Sequence, residues 1–311
     1  MAGAERRSPS AFRPRRFGHE ARGSRARACS RRLRQQRAAR PPDPTLERTS
    51  RAALLAWRQD RPEQAAELFR QALARAYARD EPGPIADNAT GLAAAELRLG
   101  RNAAARDVAA QARADLSRRA AAIPQALTLA EAAAEWRLGN PSAALALART
   151  ITAGEGAPRA RFLEGLVAAD ARDLVALDAA IAAIPPSGTP DLVADLAELE
   201  GRRALIANDP TRARTLLAAA AAARREVRDY PGMARALALE AEAARRGGDT
   251  RFAGDLWLRA ARSAAAMGND RDARAWFTAA EAAGRPAADT SLVRGAREGL
   301  AALAEDASPR R

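Results

Sequence analysis

Lysine is missing from this chain, so all 51 of its Lys+Arg positions are arginine. Without lysine there is no GxxxxGK[ST] phosphate loop, and no GxGxxG follows a strand-like run. Histidine and cysteine occur once each, as His19 and Cys29. A lone cysteine forms no intramolecular disulfide and no cysteine-rich metal site. From residue 46 onward neither residue type occurs, which removes His-assisted serine or cysteine catalysis and the usual zinc sites. No metal and no cofactor are expected. No apolar run approaches about 18 residues, so no transmembrane segment is expected. No apolar stretch of about 7–15 residues marks a secretory signal, which points to the cytoplasm. The β-branched alternation of strands is also missing.

The chain is instead rich in alanine and arginine. Ala, Arg, Gly and Pro have GC-rich codons, which suggests a high-GC bacterial gene. The net charge of +13 is unevenly placed. Residues 1–45 hold thirteen Arg against Glu5, Glu20 and Asp43, whereas the rest holds 38 Arg against 35 acids. The basicity therefore belongs to a tail, and the body is nearly balanced. Residues 1–43, rich in Arg, Ser, Pro and Gly without apolar periodicity, are expected to be disordered. Three readings of this tail stay open: a solvated leader or mis-called start, a contact arm for nucleic acid or another polyanion, and a degenerate targeting peptide. Counterion release would drive the second. Only Phe12 and Phe17 could stack on bases, so such binding would have little sequence preference.

From Pro44 the pattern becomes helical. Proline recurs just inside helix starts, where its missing N–H costs nothing. Asp43, Asn140 and Asp209 precede such prolines as caps. Fourteen helices are expected, starting near 44, 62, 84, 102, 124, 141, 157, 172, 190, 210, 231, 250, 270 and 288.

A phrase also returns: "AWRQDRPEQAA" at 56–66, "ELRLGRNAAA" at 96–105 and "EWRLGNPSAA" at 135–144. Aligning on the turn residues Asp60, Gly100, Gly139, Asp170, Asn208, Gly248 and Gly268 brings small or apolar residues into register. Five residues on stand Ala65, Ala105, Ala144, Val175, Ala213, Ala253 and Ala273. Nine on stand Phe69, Ala109, Ala148, Ala179, Leu217, Trp257 and Phe277, and twelve on a further apolar set. Seven before the anchor stand Ala53, Ala93, Ala132, Leu163, Gly201, Ala241 and Ala261. The phrase reads as the turn of a helical hairpin, with the small residues where two antiparallel helices cross closest. On this register Ala105 sits at a crossing and Ala95 nearer the surface. The interval from Gly248 to Gly268 is half the usual one, so one helix is expected to serve two hairpins. A single hairpin cannot bury its apolar faces, so neighbours must stack.

The order small residue, turn, Ala, aromatic, Ala resembles the tetratricopeptide repeat (TPR) family. "DRPEQAAELFRQAL" (60–73) carries it best, then "GNDRDARAWFTAAEAA" (268–283) and "GRNAAARDVAAQAR" (100–113). The resemblance covers about residues 44–283 and is weak in 157–184. Most units exceed the family's roughly 34 residues, and the family's Leu-Gly pair and Tyr are largely missing, so a HEAT-like or generic helical repeat is the alternative. The resemblance implies an all-α, right-handed α-solenoid of about seven antiparallel hairpins over 44–306, followed by a disordered end at 307–311. It implies a protein-interaction scaffold with a concave groove and no enzymatic activity.

Carboxylates are the remaining catalytic candidates. Glu198 and Glu200, and Glu240 and Glu242, stand two apart on helices and do not face each other. They are expected to be solvated helix charges, and the protein is expected not to be an enzyme. For partner binding the candidates are Arg58, Arg98 and Arg137, each two residues before an anchor, with Trp57, Leu97 and Trp136 one residue earlier. In the resembled family such positions tend to face the groove. Guanidinium forks beside indoles suit an acidic, apolar protein or peptide. The bland alternative is that each Arg complements its own helix dipole and each Trp fills the inter-repeat core. Two other functions stay open: a nucleic-acid-associated or regulatory protein using residues 1–43 as its arm, and a cell-envelope assembly protein whose signal is unreadable in this sequence.

Overall fold

The computed structural model describes residues 41–186, 188–286 and 288–306. The expectations for residues 1–40 and 307–311 lie outside them. The described residues contain fourteen α-helices and no strand. The first hairpin is α1 (Pro44–Arg58) and α2 (Pro62–Arg79), and the second is α3 (Pro82–Arg98) and α4 (Asn102–Arg118). The third is α5 (Gln125–Arg137) and α6 (Pro141–Ala148), and the fourth is α7 (Ala157–Asp170) and α8 (Leu174–Ala182). Then come α9 (Pro190–Ile206) with α10 (Pro210–Glu226), α11 (Tyr230–Arg246) with α12 (Thr250–Ala266), and α13 (Asp270–Gly284) with α14 (Thr290–Asp306). Among these described helices, none is long and apolar enough to cross a membrane.

The helix starts follow from the expected chemistry. Asp209 Oδ1 accepts from Arg212 N at 3.0 Å, and Asp229 and Asp249 cap α11 and α12 in the same way. Asn140 does not cap α6. Its amide turns aside and donates to Glu135 Oε2 at 2.6 Å. The helices end in a repeated left-handed turn. Asp60 has φ 59°, with Asp60 N bonded to Trp57 O and Arg61 N to Ala56 O. That pair of bonds is the Schellman motif, which satisfies carbonyls the helix end leaves open.

These turns show where the sequence register needs correction. Left-handed residues stand at 60, 80, 100 and 120, and again at 208, 228, 248, 268 and 288. The turn thus has a period of twenty residues, and both the turn inside a hairpin and the turn between hairpins use it. Gly268 is an inter-hairpin turn like Asp80, Ala120 and Arg228. The seventh hairpin closes at Ala288, and no helix has to serve two hairpins. In the fourth hairpin the left-handed residue is Arg172, φ 57°, two residues beyond Asp170. The positions read from Asp170 are accordingly wrong: Val175 is 83% exposed, and Ala179 and Ala182 are exposed too. Counting from Arg172 brings in Leu177 and Ile184, both buried, and places Gly165 at the helix crossing. A Cβ on Gly165 would meet Leu199 Cδ1 at 2.6 Å.

Elsewhere the register is the observed one. Ala65, Ala105, Ala144, Ala213, Ala253 and Ala273 are buried, as are Phe69, Leu217, Trp257 and Phe277. From α2 onward consecutive helices pack together, and odd-numbered helices also touch the next odd one, α3 on α5, α5 on α7 and α7 on α9. Ala95 is the exception to the expected exposure. It is fully buried, and the equivalent Ala134 and Ala243 are buried as well, each five residues before its turn. This second buried face of the odd helices comes from stacking on neighbouring hairpins.

Candidate partner-binding cleft

The arginines of the returning phrase do not all act alike. Arg137 Nη1 donates to the Leu97 carbonyl at 2.8 Å, and Arg246 Nη1 donates to the Leu205 carbonyl at 2.9 Å. Arg98 Nη2 reaches Asp60 Oδ1 at 2.7 Å. Each bridges back across about one repeat, to the turn that ends the previous odd helix. A cation there meets the negative end of that helix's dipole and its open carbonyls. The arginine complements the C-terminus of the preceding repeat and ties two hairpins together. Arg58, on the first described hairpin, is exposed.

The rings are placed with them. The Arg98 guanidinium lies 5.5 Å from the ring centroids of both Trp57 and Tyr230. Trp136 Nε1 donates to Asp170 Oδ2 at 2.8 Å, and Arg235 lies 5.4 Å from the Trp136 ring centroid. Leu97, Arg98, Trp136 and Arg137 line one wall of a cleft of about 650 Å³. Arg58 and Trp57 stay outside it. The facing wall comes from a distant part of the chain: Arg235 of α11, Met267 and Asn269 of the turn before α13, and Asp272 and Trp276 of α13.

Arg137 is the unusual group. Its guanidinium lacks a carboxylate within ion-pair distance among the described residues, where Arg98 has Asp60 and Arg235 has Glu198. Burial pushes it down to about 10, the neighbouring Arg235 and Arg159 add repulsion, and the more distant Asp229 and Asp272 offset only part of this. The cleft therefore holds a half-buried cation bonded to a backbone carbonyl, and the indoles of Trp136 and Trp276 line the same cleft.

Behind the cleft lies a group of buried charges, against the expectation that Glu198 and Glu240 are solvated. Glu198 is fully buried rather than solvated, and Glu240 is buried as well. Glu198 accepts from Arg235 through two bonds of 2.7 and 2.8 Å, and from Arg202 Nε at 3.3 Å. Arg224, itself wholly buried, bonds Asp195, which also accepts from Arg159. Burial alone would raise the Glu198 carboxyl, but Arg235, Arg202 and Arg224 hold it far below the usual range. Burial wins at Asp195, which is raised despite Arg159 and Arg224. Arg202 Nη1 bonds Asp170 Oδ1 at 3.0 Å, so Asp170 links this group to Trp136 and the cleft. A signal was present: Asp195, Glu198 and Arg202 recur at three and four residues, one stripe of α9. The stripe is charged but faces inward, because arginines of α7, α10 and α11 meet it.

No model of a known protein family matches the sequence, and no curated protein does. Among solved structures the chain is similar to the apo form of the quorum sensor NprR from B. thuringiensis, with a TM-score of 0.50 and 9% identity over 90% of this chain and 94% of that one. It is also similar to a tetratricopeptide repeat protein from Parabacteroides merdae, with a TM-score of 0.45 and 15% identity over 82% of this chain and all of the other. The described residues form an all-α helical repeat of seven antiparallel hairpins.

Proposed function

We propose that the protein is an interaction scaffold and that its cleft holds an acidic, apolar segment of a partner protein. One observation carries this reading: Arg137 lies without an ion-pair partner among the described residues in a cleft that Trp136 and Trp276 also line. A carboxylate from a partner would supply the missing charge, and the indoles would bury the adjacent apolar side chains. Arg98 and Leu97 complete that wall, whereas Trp57 supports Arg98 from behind and Arg58 has no part in it. We assign no catalytic step and no cofactor. Residues 44–306 form the scaffold in this reading, with 1–43 and 307–311 as flanking segments.

The test is capture of partners from a cell extract of the source organism, with the bound proteins identified by mass spectrometry. Arg137→Gln should weaken capture about tenfold or more, the usual cost of truncating one side of a buried charged contact. Arg58→Gln should leave it unchanged. Binding to the native protein should also fall as salt rises. Equal capture by native protein and Arg137→Gln would remove the cleft from the reading.

A further inference from the structure

The cleft has two walls because the stack curves back on itself, and two turns meet where it does so. The turn after α3 touches the turn after α12: a Cβ on Gly100 would stand 3.1 Å from Asn269 N, and one on Gly268 would stand 3.0 Å from Leu99 O. Beside this contact Arg98 of the first arm lies over Tyr230 of the second. The glycines at this point are not explained by backbone conformation alone. The same left-handed turn is made by Asp60, Asp80, Ala120, Asn208, Arg228 and Ala288. Gly139 and Gly248 share the conformation, yet a Cβ on either would meet nothing within 4 Å. At 100 and 268 a Cβ alone would crowd the backbone of the other arm by a few tenths of an ångström, and a longer side chain by more.

We infer that these turns form a self-latch: Gly100 and Gly268 let the two arms close face to face, and parting them is how the cleft opens. Several features make the contact reversible. The turns meet through backbone, and two cation–π pairs join the walls beside them, Arg98 with Tyr230 and Arg235 with Trp136. Two buried polar atoms flank Gly100 without a hydrogen-bond partner in the protein, Arg98 Nε and Asn102 Oδ1. Closure desolvates them without compensation, and opening returns them to water. The latch also sets the size of the occupant, a statement that rests on the function proposed above. Closed, the cleft of about 650 Å³ is the size of a small-ligand pocket, about 300–1,000 Å³. A short extended segment fits it. A helix, about 10–12 Å across with its side chains, requires the turns to separate.

The latch can be tested without any partner. Asparagine tolerates the left-handed conformation and adds volume, so Gly100→Asn with Gly268→Asn targets the contact. Gly248→Asn imposes the same kind of change at a left-handed glycine outside the cleft, where there is space, and controls for turn strain. Small-angle scattering should give the latch variant a larger radius of gyration than the native and control proteins. Acrylamide should quench its tryptophans more strongly, since Trp136 and Trp276 line the cleft, with helicity unchanged. Scattering and quenching equal to those of the control would overturn the inference. Should the double variant lose helicity, Tyr230→Ala removes only the ring beneath Arg98. It must then show the same expansion, and a native-sized Tyr230→Ala protein overturns the latch equally. Partner capture plays no part in these measurements, so failure of the scaffold reading and failure of the latch are separable.

Discussion

Alanine 105 has no exposed surface, and it stands five residues after a turn, where α4 packs in its hairpin. A methyl group is all that the crossing admits. Leucine there would add volume that the helices can absorb only by separating or by leaving favoured rotamers, at a cost of about 1–3 kcal/mol. Ala95 is no control, because it is buried just as deeply against the neighbouring hairpin. Ala103, exposed on the first turn of α4, is the proper one. Urea unfolding should show Ala105→Leu with a lower midpoint and Ala103→Leu close to native. Equal midpoints would mean that the alanines are compositional rather than the determinants of helix spacing. The same comparison shows why residue burial was only half readable. A hairpin's inner face follows from one period and one anchor, which is how Ala65, Ala105, Ala213 and Ala253 were placed. The stacking face depends on the next hairpin, and Ala95 carries no mark of it.

At the scale of the element, the unit is a helix plus a left-handed turn, twenty residues in all. The turns that stood out were those built from Asp, Asn or Gly, since these residues reach the left-handed region at little cost. Ala120, Arg172, Arg228 and Ala288 occupy it as well, and nothing in their side chains announces that. This is why spacing alone puts the fourth hairpin two residues off and passes over the turns at Ala120, Arg228 and Ala288. The cleft suffered from the same limit. Leu97, Arg98, Trp136 and Arg137 could be grouped because one phrase repeats, but the facing wall of Arg235 and Trp276 depends on the curvature of the whole stack. The turns also make a direct prediction. Ala120 is exposed with φ 51°. Glycine would relieve about 1–2 kcal/mol of steric cost and return about 0.5–1 kcal/mol of backbone entropy to the unfolded chain. Ala120→Gly should therefore stabilise the protein by up to about 1.5 kcal/mol, whereas Ala114→Gly, exposed in the interior of α4, should cost about 1 kcal/mol. A destabilised Ala120→Gly protein would contradict the turn geometry.

Across the whole molecule, the apolar core is divided. One cluster runs from Leu46 to Ala130, another from Ala132 to Leu199, and two more lie from Ala204 onward. Between the second and the later clusters stands the charged group on α7, α9, α10 and α11, with Glu198 at its centre. Burying charges is expensive, and such a group contributes little against a well-packed apolar alternative. Removing one member is a different matter. Glu198→Gln would leave Arg235, Arg224 and Arg202 around a neutral amide, at a cost of about 3–5 kcal/mol. The pH dependence separates this from ordinary packing damage. The Glu198 carboxyl lies lower in the folded protein than in the unfolded chain, so its contribution is present above an unfolded value of about 4.3 and is lost as the pH falls below that. Asp229 shifts in the same direction, and Asp195, raised by burial, works against both. Native stability should therefore fall from about pH 5 downward. The Glu198→Gln protein should start lower at neutral pH and fall less steeply, because its main acid-labile group is gone. Urea unfolding at a series of pH values measures both curves. Parallel curves would show that Glu198 is merely packed, and that the joint between the two arms is held by apolar contact instead.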